Sequence, residues 1–276
     1  LVARSTNSSS LSDSAASLLG YASGEIIASR TAIMELVHPG DRDELTRRVQ
    51  AHLDASRTEF EMDVRMERKS GVYSWINIRG RVVRRDEEDS PIRLAGTIMD
   101  IGERKQLEAR LHELATIDGL TGVFNRRHGQ ERLDAALSSA RRLDHPLGFV
   151  LLDIDHFKQV NDRFGHDVGD EVLQGLAALL RDRIRRTDAV SRWGGEEFAV
   201  ILPGTDAAGT VRFADGLLEA IRALSTPAGE PITASLGVVS WRDGEDAGEL
   251  VKRADRLMYR AKQSGRDRVE SDLDPS

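Results

Sequence analysis

The chain has 276 residues, 39% hydrophobic and 31% charged, which is long for one domain, suits two globular ones, and includes no apolar run near the length of a membrane span. It has no cysteine, which excludes disulfides, cysteine zinc sites, iron–sulfur clusters and thiol catalysis. The net charge of −7 argues against a general nucleic-acid binder, so an anionic ligand has to be held by local cations or by metal ions.

Residues 1–16 are rich in Ser, lack periodicity and read as a mobile lead-in. No signal-peptide core stands there, which gives the expectation of a cytoplasmic chain with no membrane partner. A first folded unit is expected over 17–101. Thr31–Leu36 reads as a short helix, and Asp41, after His38-Pro39-Gly40, is placed to cap a helix running to about Asp54. Phe60, Met62, Val64 and Met66 alternate at strand spacing. Ser70-Gly71 marks a turn, Tyr73–Val83 a second strand, Asp86–Pro91 a polar turn and Ile92–Ile101 a third strand. The unit is an antiparallel meander preceded by helices.

Residues 102–117 read as a helical linker. Leu107, Leu111 and Leu114 fall at steps of four and three, either a short coiled-coil seam or one helix face packed on a neighbouring domain. The second unit, 118–270, alternates helices with strands, the pattern of an α/β fold with a central sheet flanked by helices. Asn125–Asp144 is a helix, Leu147–Ile154 an apolar strand, and a polar turn follows. Val168–Arg186 is a long amphipathic helix. Ala189–Arg192 and Glu196–Leu202 flank Trp193-Gly194-Gly195 as a hairpin. Ala207–Leu224 is helical, Ile232–Trp241 a strand and Asp246–Ser264 a helix, and 271–276 is expected to fray.

Two carboxylate groups stand out. Asp153 ends the apolar strand, where a charge costs desolvation energy unless something compensates it; it either serves a ligand or caps the next turn. Glu196-Glu197 follow two glycines that permit a tight hairpin and close approach of another backbone or a ligand. If the two strands are neighbours, three hard oxygen ligands meet and suit Mg²⁺ or Mn²⁺ with a triphosphate; otherwise the pair is surface charge on a hairpin.

Arg192-Trp-Gly-Gly-Glu-Glu-Phe198 resembles the signature of the GGDEF family, the diguanylate cyclases. Asp118-Gly-Leu-Thr-Gly-Val-Phe-Asn-Arg-Arg127, Asp153-Ile-Asp-His-Phe-Lys-Gln-Val-Asn-Asp162, Gly165-His-Asp-Val-Gly-Asp170, and Asp255–Lys262 followed by Gly265-Arg266 resemble its other motifs, in family order. The resemblance covers the whole second unit. It implies a fold similar to the nucleotidyl cyclase palm, and condensation of two GTP to cyclic di-GMP and two pyrophosphates. It implies that Asp153, the Ile154 carbonyl, Glu196 and Glu197 hold the metal ions, with Asp153, Glu196 and Glu197 as the catalytic carboxylates. Glu196 is the candidate for helping deprotonate the 3′-hydroxyl. Backbone N–H groups of the Asp155–Lys158 turn, Phe157 among them, would face the β- and γ-phosphates as an anion nest. Lys158, Lys262 and Arg266 match triphosphate-neutralising positions, and Asn161 and Asp170 match guanine-reading ones. His166 contacts ribose or phosphate or is a solvated loop histidine. Two positions depart from the family pattern. Glu196 replaces the usual Asp, and Asp267 replaces the usual Asn, placing an anion near the phosphate corner. Arg185-Arg-Thr-Asp188, with five residues between Asp188 and Gly194, matches the family's RxxD product-inhibition site; alone it reads as a charged helix end.

The first unit resembles a PAS sensor domain through Leu18-Leu-Gly-Tyr21, Val37-His-Pro-Gly-Asp41, Ser74-Trp-Ile76 and Ala95–Lys105. No cofactor is assigned to it and no feature names its signal. His38 and His52 read as structural, and Phe60 and Trp75 as core aromatics. A one-GTP site that must join two GTP implies a C₂ homodimer. The alternatives are an inactive GGDEF domain that binds GTP or cyclic di-GMP, and a nucleotidyl cyclase of other specificity, against which Asn161 and Asp170 argue for guanine.

Overall fold

The computed structural model describes residues 12–22, 24–25, 30–54, 59–88, 91–226 and 229–272. The chain divides into two compact units, Leu1–Arg110 and Leu111–Ser276.

In the first unit, helices α1 (Asp13–Leu18), α2 (Arg30–Leu36) and α3 (Pro39–Asp54) precede strands β1 (Phe60–Glu67), β2 (Tyr73–Arg85) and β3 (Pro91–Asp100). The strands form a three-stranded antiparallel sheet in the order β1-β2-β3, pairing Val64 with Ile76 and Ile78 with Ile98. Alternation sends one face inward, where Val64, Met66 and Ile76 pack with Leu19, Val37 and Leu45. The lead-in is shorter than expected, because Ser12 caps α1 and Ala16 is buried; residues 1–11 lie outside the described ones.

Asp41 does not cap α3, which begins two residues earlier. Its carboxylate instead takes the Arg65 backbone N–H and guanidinium, at 2.7–2.9 Å, and His38 Nδ1 accepts the Gly40 N–H at 3.1 Å. The Arg65 bonds hold the Asp41 carboxyl below its usual range, against a smaller opposing push from burial. Trp75 is not a core residue. It lies on the outer sheet face, between the Arg65 and Lys105 cations at 5.6 and 5.3 Å from its ring centre.

Helix α4 spans Gly102–Thr116, and Leu107, Leu111 and Leu114 are exposed along it. The division between the units falls inside this helix.

The second unit runs α5 (Arg126–Leu143), β4 (Leu147–Ile154), α6 (Phe157–Phe164), α7 (His166–Arg183), β5 (Ala189–Arg192), β6 (Glu197–Pro203), α8 (Ala207–Arg222), β7 (Ala234–Ser240), α9 (Ala247–Gln263) and β8 (Arg268–Ser271). The sheet order is β5-β6-β4-β7-β8, antiparallel throughout except for the parallel β7–β8 pair. Every residue of β4 is buried, because helices cover both of its faces. Val150, Leu152 and Ile154 pack under α7 and α8, while Phe149 and Leu151 pack under α5 and α9. Side chains of Asn125, Asp206 and Asp246 accept N–H groups at the starts of α5, α8 and α9.

The stretch after β4 is not only a polar turn. From Phe157 it is helix α6, because Phe157, Val160 and Phe164 fall on one apolar face and the first two pack on the core. The tail also stays ordered further than expected. Ser271 closes β8, and Asp272 pairs with Arg242 and Arg253 at 3.1 and 3.2 Å.

Candidate active site

The antiparallel register sets Asp153, the penultimate residue of β4, opposite Glu197, the first residue of β6. Register partners share a face, so Glu197 joins Asp153 on the side covered by α5 and α9. Glu196 precedes the strand, and its carbonyl accepts the Ile154 N–H at 3.3 Å. The hairpin closes as the Glu197 carbonyl accepts the N–H of Trp193 at 2.7 Å and of Gly194 at 3.2 Å. Neither hairpin glycine needs a left-handed φ. A Cβ at Gly194 would lie 2.6 Å from Glu197 Oε2 and would displace that carboxylate, whereas Gly195 faces open space.

The three carboxylates sit under electrostatic stress. Burial pushes Asp153 above the usual carboxylate range, although Lys262 Nζ, from the end of α9, is 2.8 Å from Asp153 Oδ2. Burial likewise raises Glu196 and Glu197, and the charge of Asp153 adds to both shifts. This donor set fits a hard divalent cation, which binds oxygen anions and relieves their repulsion. Among the described residues, however, no three such side chains are gathered closely enough to enclose an ion, and Lys262 is the partner that Asp153 has here.

The remaining expected residues divide into those at the site and those turned from it. Lys158 is exposed on the first turn of α6. The Phe157 ring is buried in the core, which leaves only its backbone N–H for a ligand. The Asp155 N–H is not free for a phosphate nest, because it donates to the Thr233 carbonyl at 2.9 Å. Among the described residues the N–H groups of Phe157 and Lys158 make no hydrogen bond. Asn161 Oδ1 is buried without a partner and points at Gly169, where a Cβ would meet it at 1.9 Å; Asp170 follows, exposed, on α7. His166 is exposed at the start of α7. Arg266 lies near enough for its charge to lower Asp153's proton affinity. Arg185 and Asp188 form a separate turn, with the Arg185 N–H bonded to Asp188 Oδ2 at 2.9 Å. That turn enters β5 at the end remote from the hairpin, roughly 13 Å along the strand at 3.3 Å per residue.

Several residues that sequence reasoning did not single out position the hairpin. Arg192 reaches the Gly195 carbonyl at 2.7 Å and Asp118 Oδ1 at 3.2 Å. Burial raises the Asp118 carboxyl, but two bonds from Thr121 and the charge of Arg192 outweigh it and hold the carboxyl below its usual range. Arg126 stacks over the Trp193 ring at 5.7 Å, and its charge also acts on Glu197. Asp118 and Arg192 each stand inside a motif, but no spacing pairs residues 74 positions apart.

The family described as "Diguanylate cyclase, GGDEF domain" matches residues 115–268, and the "PAS fold" family matches 9–98. The chain is 44% identical over 164 residues to the diguanylate cyclase DgcP of Pseudomonas aeruginosa, covering 56% of this chain and 24% of that protein. It is 37% identical over 177 residues to the probable diguanylate cyclase DgcC of Escherichia coli, covering 63% of this chain and 47% of that one. It thus spans half or less of the length of these relatives. Among solved structures, the GGDEF domain of DgcB from Caulobacter crescentus in complex with c-di-GMP superposes with a TM-score of 0.55 at 32% identity, over 57% of this chain and 93% of that one. The active GGEEF domain of a diguanylate cyclase from Vibrio cholerae gives 0.52 at 36% identity, over 55% and 98%. The sheet, the carboxylates at its end and a family match over more than half of its length make this chain a member of the GGDEF diguanylate cyclase family, with a PAS domain before it.

Proposed function

We propose that the chain condenses two GTP into cyclic di-GMP and two pyrophosphates. The observation that carries this is the convergence of Asp153, Glu196 and Glu197 with Lys262 and Arg266 at one end of the sheet. Phosphoryl transfer needs positioning and charge neutralisation more than covalent chemistry, and these residue types supply both. Asp153, Glu196, Glu197 and the Ile154 carbonyl are the residues that would hold Mg²⁺ or Mn²⁺, which when bound offsets phosphate charge and lowers a hydroxyl pKa. Glu196, itself one of those ligands, is also the candidate for helping to deprotonate the 3′-hydroxyl. Lys158, Lys262 and Arg266 neutralise the triphosphate, with the Phe157 and Lys158 N–H groups available to it. Asn161, its buried oxygen unpaired, and Asp170 read guanine, and His166 lies at the mouth of that region. Glu196 in place of Asp agrees with the Vibrio cholerae domain, which is active with Gly-Gly-Glu-Glu-Phe.

Each site holds one GTP, so two domains face each other in a C₂ homodimer. The exposed Leu107, Leu111 and Leu114 supply a seam for pairing, and the PAS unit sets its register in response to a signal. The Arg185 guanidinium makes no ion pair among the described residues, which suits it to clamp the product at a second site with Asp188. No helix among the described residues is long and apolar enough to cross a membrane.

The Lys262–Asp153 pair favours a second reading, a domain that binds GTP or cyclic di-GMP without turnover. Incubation of the purified chain with GTP and Mg²⁺, with products identified by mass spectrometry, separates the two. Cyclic di-GMP with pyrophosphate is expected, and GTP binding with no product would leave only the binding module.

A further inference from the structure

We propose that Asp155 and Arg222 are positioning residues that hold Arg266 against the site, acting through Asp267. The proposal rests on the reading of Arg266 as a triphosphate-neutralising residue.

After α9 the chain makes a turn in which Gly265, Arg266 and Asp267 have φ of +106°, +63° and +47°. Glycine is at home there, but two successive non-glycine residues persist in that region only where the surroundings over-determine them. Two clamps do so. Asp155 is buried, and its Oδ2 accepts the Asp267 N–H at 3.0 Å and Thr233 Oγ1–H at 2.9 Å, while its Oδ1 accepts Ser235 Oγ–H at 2.7 Å. Although it stands two residues from Asp153, this carboxylate is committed to β7, to the residue before it and to the turn. Arg222, the last residue of α8, donates through Nε to Asp267 Oδ1 at 2.9 Å and through Nη2 to the Asp267 carbonyl at 3.1 Å. The N–H, carbonyl and carboxylate of Asp267 are therefore all held.

The consequence falls on the preceding residue. With the turn in this hand, the Arg266 N–H reaches the Ala261 carbonyl at 2.9 Å and the guanidinium charge acts on Asp153. A turn relaxed to right-handed φ would carry Arg266 away. The clamp also accounts for an acidic residue beside the phosphate corner. The Asp267 carboxylate faces Arg222, and aspartate is among the residues that tolerate this conformation.

The test compares the full chain with Arg222→Ala, Arg222→Lys and Asp155→Asn, measuring kcat, KM for GTP and GTP affinity by calorimetry. The Arg222–Asp267 pair is partly exposed, so Arg222→Ala should raise KM about three- to fivefold with kcat within about twofold. Arg222→Lys keeps the charge without the fork and should recover part of the loss. Asp155→Asn places an amide donor among donors and should raise KM about tenfold. Unchanged KM and GTP affinity in Arg222→Ala, or a fall in kcat alone, overturns the proposal even if Asp155→Asn fails to fold. A wild-type chain that makes no cyclic di-GMP, while Arg222→Ala weakens GTP binding, overturns the cyclase reading and keeps the positioning role.

Discussion

β2 and β4 are the central strands of their sheets, and they treat charge in opposite ways. β2 has one covered face, and its outer face is a set of matched charges and dipoles. Asn77 bridges Glu61 and Asp63, Arg79 meets Glu61 at 2.8 Å, and Lys105 meets Asp63 at 2.9 Å. Such exposed pairs are screened and stabilise little, so this face is scaffold with a solvated surface. β4 is covered on both faces and ends in Asp153, beside two further acids whose proton affinities burial and mutual repulsion raise. Compensated charge marks the frame of the first unit, and under-compensated charge marks the candidate site of the second.

The sharpest way to break this contrast is to remove the stressed charge. Asp153→Ala or Glu196→Ala should lower turnover by about 10³-fold or more, the scale of lost transition-state charge stabilisation. The same Glu196→Ala protein should melt a few degrees higher at pH 7 without metal, on the order of 1 kcal/mol. A carboxylate whose folded pKa is raised loses stability as pH rises through that window, so the gain should vanish at acid pH, where the wild-type groups are protonated. Thermal melts at both pH values check the sign. Near-full activity in either variant would remove the site assignment.

The exposed leucines test whether the linker brings two such sites together. Leu107→Glu with Leu111→Glu should lower specific activity on the order of tenfold at low protein concentration, with partial recovery as concentration rises. Superimposable activity curves for the two proteins would show that the seam does not assemble the dimer. Arg185→Ala should raise the product concentration needed for inhibition by about tenfold, the value of a charged hydrogen bond, with the initial rate within twofold. Inhibition unchanged in that variant would return Arg185 to an ordinary charged helix end.

The smallest effect comes from the exception in the first unit. His52 is buried with neither ring nitrogen bonded, and burial, aided by the charge of Arg85, holds its imidazole below the usual histidine range. The unfolded chain takes a proton near pH 6.5, and the folded form only at lower pH. Stability of this unit is therefore complete above that pH and falls as pH drops toward the folded value, by about 1 kcal/mol. Hydrogen exchange of β1 and β2 amides in the full chain should show this loss, and His52→Leu should flatten it. Identical pH dependence in that variant would place the effect elsewhere.

The sequence by itself determined what is local. Period-two alternation marked β1, a continuous apolar run marked the strand Leu147–Ile154, helices were legible from Asn125 and from Asp246, and the motifs named the family and the candidate acids. Where one side chain had several possible partners, only the tertiary structure decided. Asp41 had the look of a helix cap and binds Arg65; Phe157 stood in a ligand motif and its ring joined the core. Asp155, two residues from a metal-ligand candidate, turned to Ser235 and Asp267, 80 and 112 positions away. The Glu197 and Lys262 side chains came to Asp153 through strand register and the return of α9. Periodicity and capping report the face and the ends of one element, because those depend on neighbours within a turn or a pleat. Which elements then meet, and in what register, is set by packing of the whole sheet, and no local pattern encodes it.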